Sequence, residues 1–259
     1  MTATTATVDV QTGQVQRALG RSALYRLLSL ACAYPSGNRM NALRGEALTE
    51  SAIGATKVSR KLAKDLDRLA AELATLEAGA LEAQYHTIFG HVALPDCPVY
   101  EAAYAGSSIF QQVGGLADVA GFYRAFGFAV SETDRERVDH LAVEMEFMRV
   151  LTYKESYARV NDGPDKVRLC RRAQRRFWRE HLGRWLPTFG RLLEARVSEG
   201  FYGELARLMR SFADSEARTL GRVPEALPQK MEEEPMGDET NCFISEDDCM
   251  PGGQANVSN

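Results

Sequence analysis

Three ionisable side chains lie close together in an otherwise apolar stretch of the chain, at Asp139, His140 and Glu144. Carboxylates and an imidazole can hydrogen-bond a peptide, pair with a cation or, with further ligands, hold a metal ion. Burying such groups costs free energy unless they find partners. The combination therefore predicts the floor of a polar cleft, and the alternative interpretation is a satisfied pair near the surface.

The residues around this group have the spacing of one helix face. Apolar positions recur at intervals of four, three and four residues, at Leu141, Met145, Met148 and Thr152. We predict a helix over residues 137–153 that packs in the interior. On it, His140 and Glu144 lie one turn apart on the same side. Ser131 and Asp134 are candidate N-caps for this helix.

The rest of the chain also predicts helices. Period-two alternation is almost absent, so the fold class is all-α, a single globular helical domain over residues 15–220. We expect disorder in residues 1–14 and a flexible, disordered acidic tail in residues 221–259, where proline and acidic residues dominate. Further helices are expected at residues 14–33, 57–79, 80–89, 117–126, 165–182, 192–197 and 201–220.

Composition limits the class of protein. With 45% hydrophobic residues, a chain of 259 residues can bury a real core. The longest weakly polar stretch, residues 22–35, contains Arg26 and is shorter than the roughly 20 apolar residues of a membrane span, so no stable membrane insertion is expected. The five cysteines show neither a disulfide framework nor a zinc spacing, and we expect a cytoplasmic protein.

Charge is distributed unevenly along the chain. The first 230 residues hold all 31 Lys and Arg against 27 acidic residues, a net +4, whereas the remainder carries eight acidic residues. An arginine ridge with helical spacing consists of Arg168, Arg171, Arg172, Arg175, Arg176 and Arg179. A solvated helix face explains this ridge better than nucleic-acid binding, because the pI is about 5.7. Docking of the acidic tail on the ridge is a third interpretation.

Motifs of catalysis are lacking in the sequence. There is no G-x-S-x-G motif and no phosphate-binding loop. His86, His91 and Cys97 could join His140 and Glu144 at a metal ion, but no pair has a convincing ligand spacing. We therefore expect no enzyme, no metal and no cofactor. The alternative is a metal- or nucleotide-dependent helical enzyme that uses His140 and Glu144.

Three blocks carry a resemblance to a known family: LEAQYHTIF at 81–89, PDCPVYEAAY at 95–104 and VDHLAVEMEFM at 138–148. The chain resembles the TorD/DmsD family of molybdoenzyme-specific chaperones. The resemblance implies a TorD-like helical domain that binds the twin-arginine signal peptide and apo-form of a DMSO-reductase-family molybdoenzyme. Such a chaperone supports cofactor insertion and prevents premature export, as a monomer or homodimer. Within the family we favour the accessory protein of an ethylbenzene or dimethyl sulfide dehydrogenase-type enzyme.

The resemblance also implies where the peptide binds. Asp139 and His140 match the pair implicated in peptide binding in the family. Carboxylates in the same groove can pair with guanidinium groups, and apolar side chains near the loop can accept the apolar part of the peptide. The complete set of expected peptide-binding residues is Ile88, Phe89, Asp96, Tyr100, Glu101, Asp139, His140 and Glu144.

Overall fold

The computed structural model describes residues 2–77, 79–90, 97–105, 109–130 and 136–227. In chain order its elements are α1 (Thr2–Cys32), α2 (Gly37–Ala42), a π-helical turn (Leu43–Ala47), α3 (Leu48–Val58), α4 (Arg60–Thr75), α5 (Ala80–Phe89), a 3-10 turn (Glu101–Tyr104), α6 (Ile109–Ala125), α7 (Leu141–Asn161), α8 (Pro164–Glu180), α9 (Leu182–Arg196) and α10 (Gly200–Leu220). Within those ranges the only β pairing is one isolated bridge, so the predicted all-α class is confirmed.

Several sequence predictions concern segments outside the described residues. They are the disorder of the acidic tail beyond residue 227, the peptide contact of Asp96, and the caps at Ser131 and Asp134. Among the described helices, none is long and apolar enough to cross a membrane.

The core is built by long helices that lie side by side. Helix α1 packs along α7 and α3, and α10 packs against α9 and α4. Large side chains fill the space between them, including Tyr25, Phe147, Trp178, Trp185 and Phe212, each at most 1% exposed. Burying a side chain of this size stabilises the fold by about 1.5–3 kcal/mol.

A glycine pair sets the distance between α1 and α3. A Cβ added to Gly20 would lie 2.5 Å from the carbonyl oxygen of Gly54, and one added to Gly54 would lie 2.7 Å from the Cα of Gly20. Only residues without a Cβ allow this backbone approach, so the sequence fixes the crossing of the two helices at this point.

The first helix is longer than predicted. We expected residues 1–14 to be disordered, but α1 begins at Thr2. The side-chain amide of Gln11 donates to the carbonyl oxygen of Arg159 at 3.0 Å, which ties this part of α1 to the end of α7. Once the buried part of a helix has formed, each added residue gains a backbone hydrogen bond at little further cost.

The central helix begins later than predicted, at Leu141 rather than near residue 137. His140 is its N-cap, because its ring Nδ1 accepts a hydrogen bond from the backbone N–H of Ala142 at 3.1 Å. His140 therefore has an extended backbone in front of the helix, and Asp139 lies in the turn that precedes it. Periodicity alone misplaces this boundary, because histidine is not among the residue types that are favoured as N-caps.

Two other boundaries differ for local reasons. The helix predicted over residues 57–79 is split at Ser59, whose backbone is extended and whose hydroxyl accepts from the N–H of Lys61. Residues 183–191 were left outside the predicted helices, yet α9 spans Leu182–Arg196 and contains Pro187. Burial of Trp185, Leu186 and Phe189 on the same helix offsets the cost of about 3 kcal/mol that an internal proline brings.

Candidate functional site

The loop that contains Tyr100 is fixed to the segment in front of α7 by backbone pairing. The N–H of Glu101 donates to the carbonyl oxygen of Asp139 at 3.0 Å, and the N–H of Leu141 donates to the carbonyl oxygen of Val99 at 2.9 Å. The Tyr100 ring meets the His140 ring edge to face, with centroids 5.2 Å apart. Two of the sequence blocks are thus joined into one structural unit.

Asp139 strengthens this unit with its side chain. Its Oδ2 accepts a hydrogen bond from the N–H of Ala102 at 3.2 Å. Arg137 donates to both carboxylate oxygens, at 3.0 and 2.8 Å, and its guanidinium lies 4.6 Å from the centre of the Tyr100 ring. With its side chain only 2% exposed, Asp139 serves mainly to hold the loop.

His140 is buried and uncharged at neutral pH. Burial, followed by the positive charges of Arg39 and Arg137, lowers the pKa of His140 to about 4. The neutral ring can accept at Nδ1, as its N-cap hydrogen bond requires. Glu136 approaches the other ring nitrogen, Nε2, at 4.0 Å.

Glu144 lies behind the loop and is completely buried. Its Oε2 accepts from the indole N–H of Trp185 at 3.2 Å, while Oε1 has no hydrogen-bond partner in the described part of the chain. Burial, and then the nearby charge of Glu101, raises the pKa of Glu144 well above the usual carboxyl range. This environment therefore favours the protonated, uncharged form of the carboxyl group.

A cavity of about 460 Å³ opens beside this unit. We call it the acidic cleft, because four carboxylates line it together with one histidine and one arginine: Glu101, Asp118, Asp139, Glu180, His181 and Arg184. The side chains of Glu101, Asp118 and Glu180 are 16%, 51% and 29% exposed. Solvent, or a ligand, can therefore reach them.

His181 connects two of these carboxylates. Its Nδ1 lies 3.1 Å from both oxygens of Glu101, and its Nε2 lies 3.1 Å from Oδ2 of Asp118. Burial lowers the pKa of His181, but the hydrogen bonds and charges of Glu101 and then Asp118 outweigh it, so the pKa is raised overall. The His181 ring holds the two carboxylates in place, and its raised pKa favours the charged form.

The acidic cleft can bind an organic cation through charge-assisted hydrogen bonds. Guanidinium suits it, because carboxylates can accept its N–H groups in pairs. In the described ranges no three His, Cys, Asp or Glu side chains converge in a way that could hold a metal ion.

The residues predicted from the sequence are only partly brought together. Tyr100, Glu101, Asp139, His140 and Glu144 form one cluster, in which Glu101 and Asp139 line the cleft. By contrast, Ile88 is buried, and the Phe89 ring packs against the rings of Phe189 and Tyr202 on α9 and α10.

Sequence reasoning missed four ionisable members of the cleft: Asp118, Glu180, His181 and Arg184. Asp118 lies on α6, where no pattern distinguished it from other exposed residues. His181 is a single histidine between two helices, within a segment that was predicted to be helical throughout. The one feature of the sequence that could have pointed to His181 as a site residue is its position directly after a long basic helix.

Together these features define a helical binding protein with an acidic cleft beside a tightly held loop. Comparison with known proteins identifies the family. The family model described as the nitrate reductase delta subunit matches residues 55–191, more than half of the chain. The chain belongs to this TorD/DmsD family of molybdoenzyme-specific chaperones.

Individual relatives agree with this assignment. The perchlorate reductase assembly chaperone protein of Dechloromonas aromatica (strain RCB) is 29% identical over 78% of this chain and 90% of its own length. The selenate reductase assembly chaperone protein of Thauera selenatis is 41% identical over 42% of this chain and 58% of its own length. The chaperone protein TorD of Photobacterium profundum is 28% identical over 47% of this chain and 55% of its own length.

Proposed function

We propose that this protein is a cytoplasmic assembly chaperone that binds the twin-arginine signal peptide and apo-form of a DMSO-reductase-family molybdoenzyme. Bound in this way, it supports cofactor insertion and prevents premature export. The observation that carries the proposal is the acidic cleft, in which Glu101 and Asp118 present carboxylates fixed by His181.

The cleft would bind the two arginine side chains of the peptide. Glu101 and Asp118 each keep lone pairs that His181 does not use, and their partial exposure lets a guanidinium approach. Glu180 is a further carboxylate at the rim, although Arg176 and Arg179 already pair with it. Because the site is open to solvent, salt should weaken the contact.

The buried residues of the family motif position this surface. Asp139 and His140 hold the loop from which Glu101 projects, and Glu144 adds a buried carboxyl behind it. Tyr100 is half-buried beside Arg137 and offers an aromatic face to the apolar part of the peptide. Ile88 and Phe89 would contribute by shaping the neighbouring core.

The names of the relatives indicate which kind of enzyme this chaperone would assemble. The proteins from Dechloromonas and Thauera are named as assembly chaperones of a perchlorate and a selenate reductase. These names favour the catalytic subunit of a reductase as partner and a role without catalysis. The narrower assignment to an ethylbenzene or dimethyl sulfide dehydrogenase-type enzyme stays a prediction.

Calorimetry can test the proposal. The full-length protein is titrated with a signal peptide that contains consecutive arginines, taken from a molybdoenzyme of the same organism, at two salt concentrations. We expect saturable binding that weakens with salt. Glu101→Gln with Asp118→Asn should weaken it by about tenfold or more, or roughly 1.4 kcal/mol.

The matched control is Asp67→Asn with Glu77→Gln, which removes the same charge from exposed positions outside the cleft. This control variant should bind the peptide with an affinity within about twofold of the wild type. A peptide with lysines in place of the arginines should bind more weakly to the wild type, because lysine cannot form paired hydrogen bonds. Absence of binding to any such peptide would refute the proposal. Equal losses in both variants would show that the cleft is not the site.

A further inference from the structure

A second charged cavity lies where α1, α7, α8 and α10 meet, and it has the opposite sign. Its volume is about 330 Å³. We call it the arginine pocket, because five arginines and a single carboxylate contribute to its lining: Arg17, Arg21, Arg159, Arg171, Arg218 and Glu155. It shares no lining residue with the acidic cleft.

The base of the arginine pocket is a buried and rigid polar network. Arg21 donates to both oxygens of Glu216, at 2.7 and 2.6 Å, and to Oε1 of Gln174 at 2.8 Å. Tyr25 donates its hydroxyl to the same carboxylate of Glu216 at 2.8 Å. The position of the Arg21 guanidinium is thus fixed before any ligand arrives.

Glu155 accepts hydrogen bonds from two further guanidinium groups of the arginine pocket. Its Oε1 accepts from Arg159 at 2.7 Å and from Arg171 at 3.3 Å, and its Oε2 accepts from Gln174 at 2.9 Å. Burial opposes ionisation of Glu155, but Gln174 and then the arginines outweigh it and lower its pKa. One negative charge therefore orients two guanidiniums that also line the cavity.

Two further arginines complete the wall without a carboxylate of their own. Arg17 on α1 and Arg218 on α10 are exposed, and neither has an acidic partner among the residues that the structure describes. Counting Glu216 beneath the floor, the network holds five guanidiniums against two carboxylates. The surplus of positive charge faces the open cavity.

We propose that the arginine pocket is a binding site for a small anion with two adjacent phosphate groups. Guanidinium is the side chain best suited to phosphate oxygens, since its planar N–H groups bind them in pairs. The excess of arginines suits a ligand with more than one negative charge. A cavity of about 330 Å³ admits a diphosphate group, whereas a folded protein domain could touch only its rim.

This assignment goes beyond the proposed chaperone function and does not depend on it. The acidic cleft repels anions, and the arginine pocket repels the basic segment of a signal peptide. The two sites can therefore be tested one at a time in the same full-length protein.

Inorganic pyrophosphate is the probe, measured by calorimetry at constant ionic strength with orthophosphate as the comparison. We expect one pyrophosphate per chain, bound more tightly than orthophosphate. Arg17→Gln with Arg218→Gln should weaken it by about tenfold or more, because both guanidiniums that lack a carboxylate are lost. Both residues are exposed, so the thermal midpoint of the ligand-free protein should not fall.

The charge-matched control is Arg60→Gln with Arg175→Gln, at exposed positions that do not line the arginine pocket. This variant should bind pyrophosphate within about twofold of the wild type. Lack of saturable binding to the wild type would overturn the proposal. So would an equal loss in the two variants, which would indicate diffuse attraction to a basic surface.

Discussion

Among the residues that the structure describes, two carboxylates are completely buried, Glu216 and Glu144, and their surroundings are opposite. Glu216 receives a two-pronged hydrogen bond from Arg21 and a third hydrogen bond from Tyr25. Glu144 receives one from Trp185, has an oxygen without a partner in the described residues, and lies near the charge of Glu101. The first belongs to an ion pair, and the surroundings of the second favour its uncharged form.

The difference shows that burial alone does not determine the charge state of a carboxyl group. A carboxylate in the interior stays charged only where a cation is fixed against it, and otherwise it holds a proton. Near Glu216 the helices supply an excess of arginine, and near Glu144 they supply further acids. Glu216 is thus paired with a cation beneath the positively charged arginine pocket, whereas burial and the neighbouring acids favour the uncharged form of Glu144.

The largest effect is expected when the cation that pairs with Glu216 is removed. Arg21→Met should lower the free energy of unfolding at pH 7 by about 3–5 kcal/mol, because Glu216 would be left buried without its counter-ion. Urea denaturation followed by circular dichroism measures this loss. Arg21→Met combined with Glu216→Leu should recover part of it, and a single variant that loses less than about 1 kcal/mol would mean that the pair contributes little.

The lowered pKa of His140 predicts how the folding stability depends on pH. Because its folded pKa is about 4 and its unfolded value is near 6.5, the unfolded state binds a proton in this window that the folded state does not. Stability should therefore fall as the pH drops from 6.5 to 4, with a contribution of up to about 3 kcal/mol. His140→Asn keeps a capping acceptor but does not titrate, so its stability should depend less on pH. Parallel curves for the two proteins would contradict the assignment.

Glu144 should behave in the opposite sense. Its folded pKa is raised, so the folded state keeps a proton that the unfolded state releases, and stability should fall as the pH rises above the ordinary carboxyl value. Glu144→Gln retains an acceptor for Trp185 and removes this dependence. We expect it to gain stability relative to the wild type, of order 1 kcal/mol, at pH 8 and less at pH 5. Thermal unfolding at both values of pH checks this, and a larger gain at pH 5 would reverse the conclusion.

The smallest effect is expected at His181. Its folded pKa is raised, so its stabilisation is complete below the unfolded value of about 6.5 and is lost as the pH rises through the folded pKa. His181→Gln should therefore cost about 0.5–1 kcal/mol more at pH 6 than at pH 9, a modest figure because Asp118 is half exposed. Equal cost at both values would mean that His181 acts as a neutral group.

Much of the fold was predictable because helices obey local rules. Apolar spacing placed α5 at its observed bounds and came close to those of α8 and α10. The interiors of the helices follow from the pattern, whereas the ends depend on individual hydrogen bonds such as those of His140 and Ser59. The helix predicted over residues 137–153 was right in existence and wrong at its start for this reason.

By itself, the sequence determined the all-α class and the family, because periodicity and short motifs are local properties. Only the tertiary structure placed His181 between Glu101 and Asp118 and assembled five arginines from four helices around one cavity. The reason is physical. A charge pair depends on distance through space, and residues 63 to 195 positions apart in the chain, such as Asp118 and His181 or Arg21 and Glu216, come within hydrogen-bond distance only when the helices have packed.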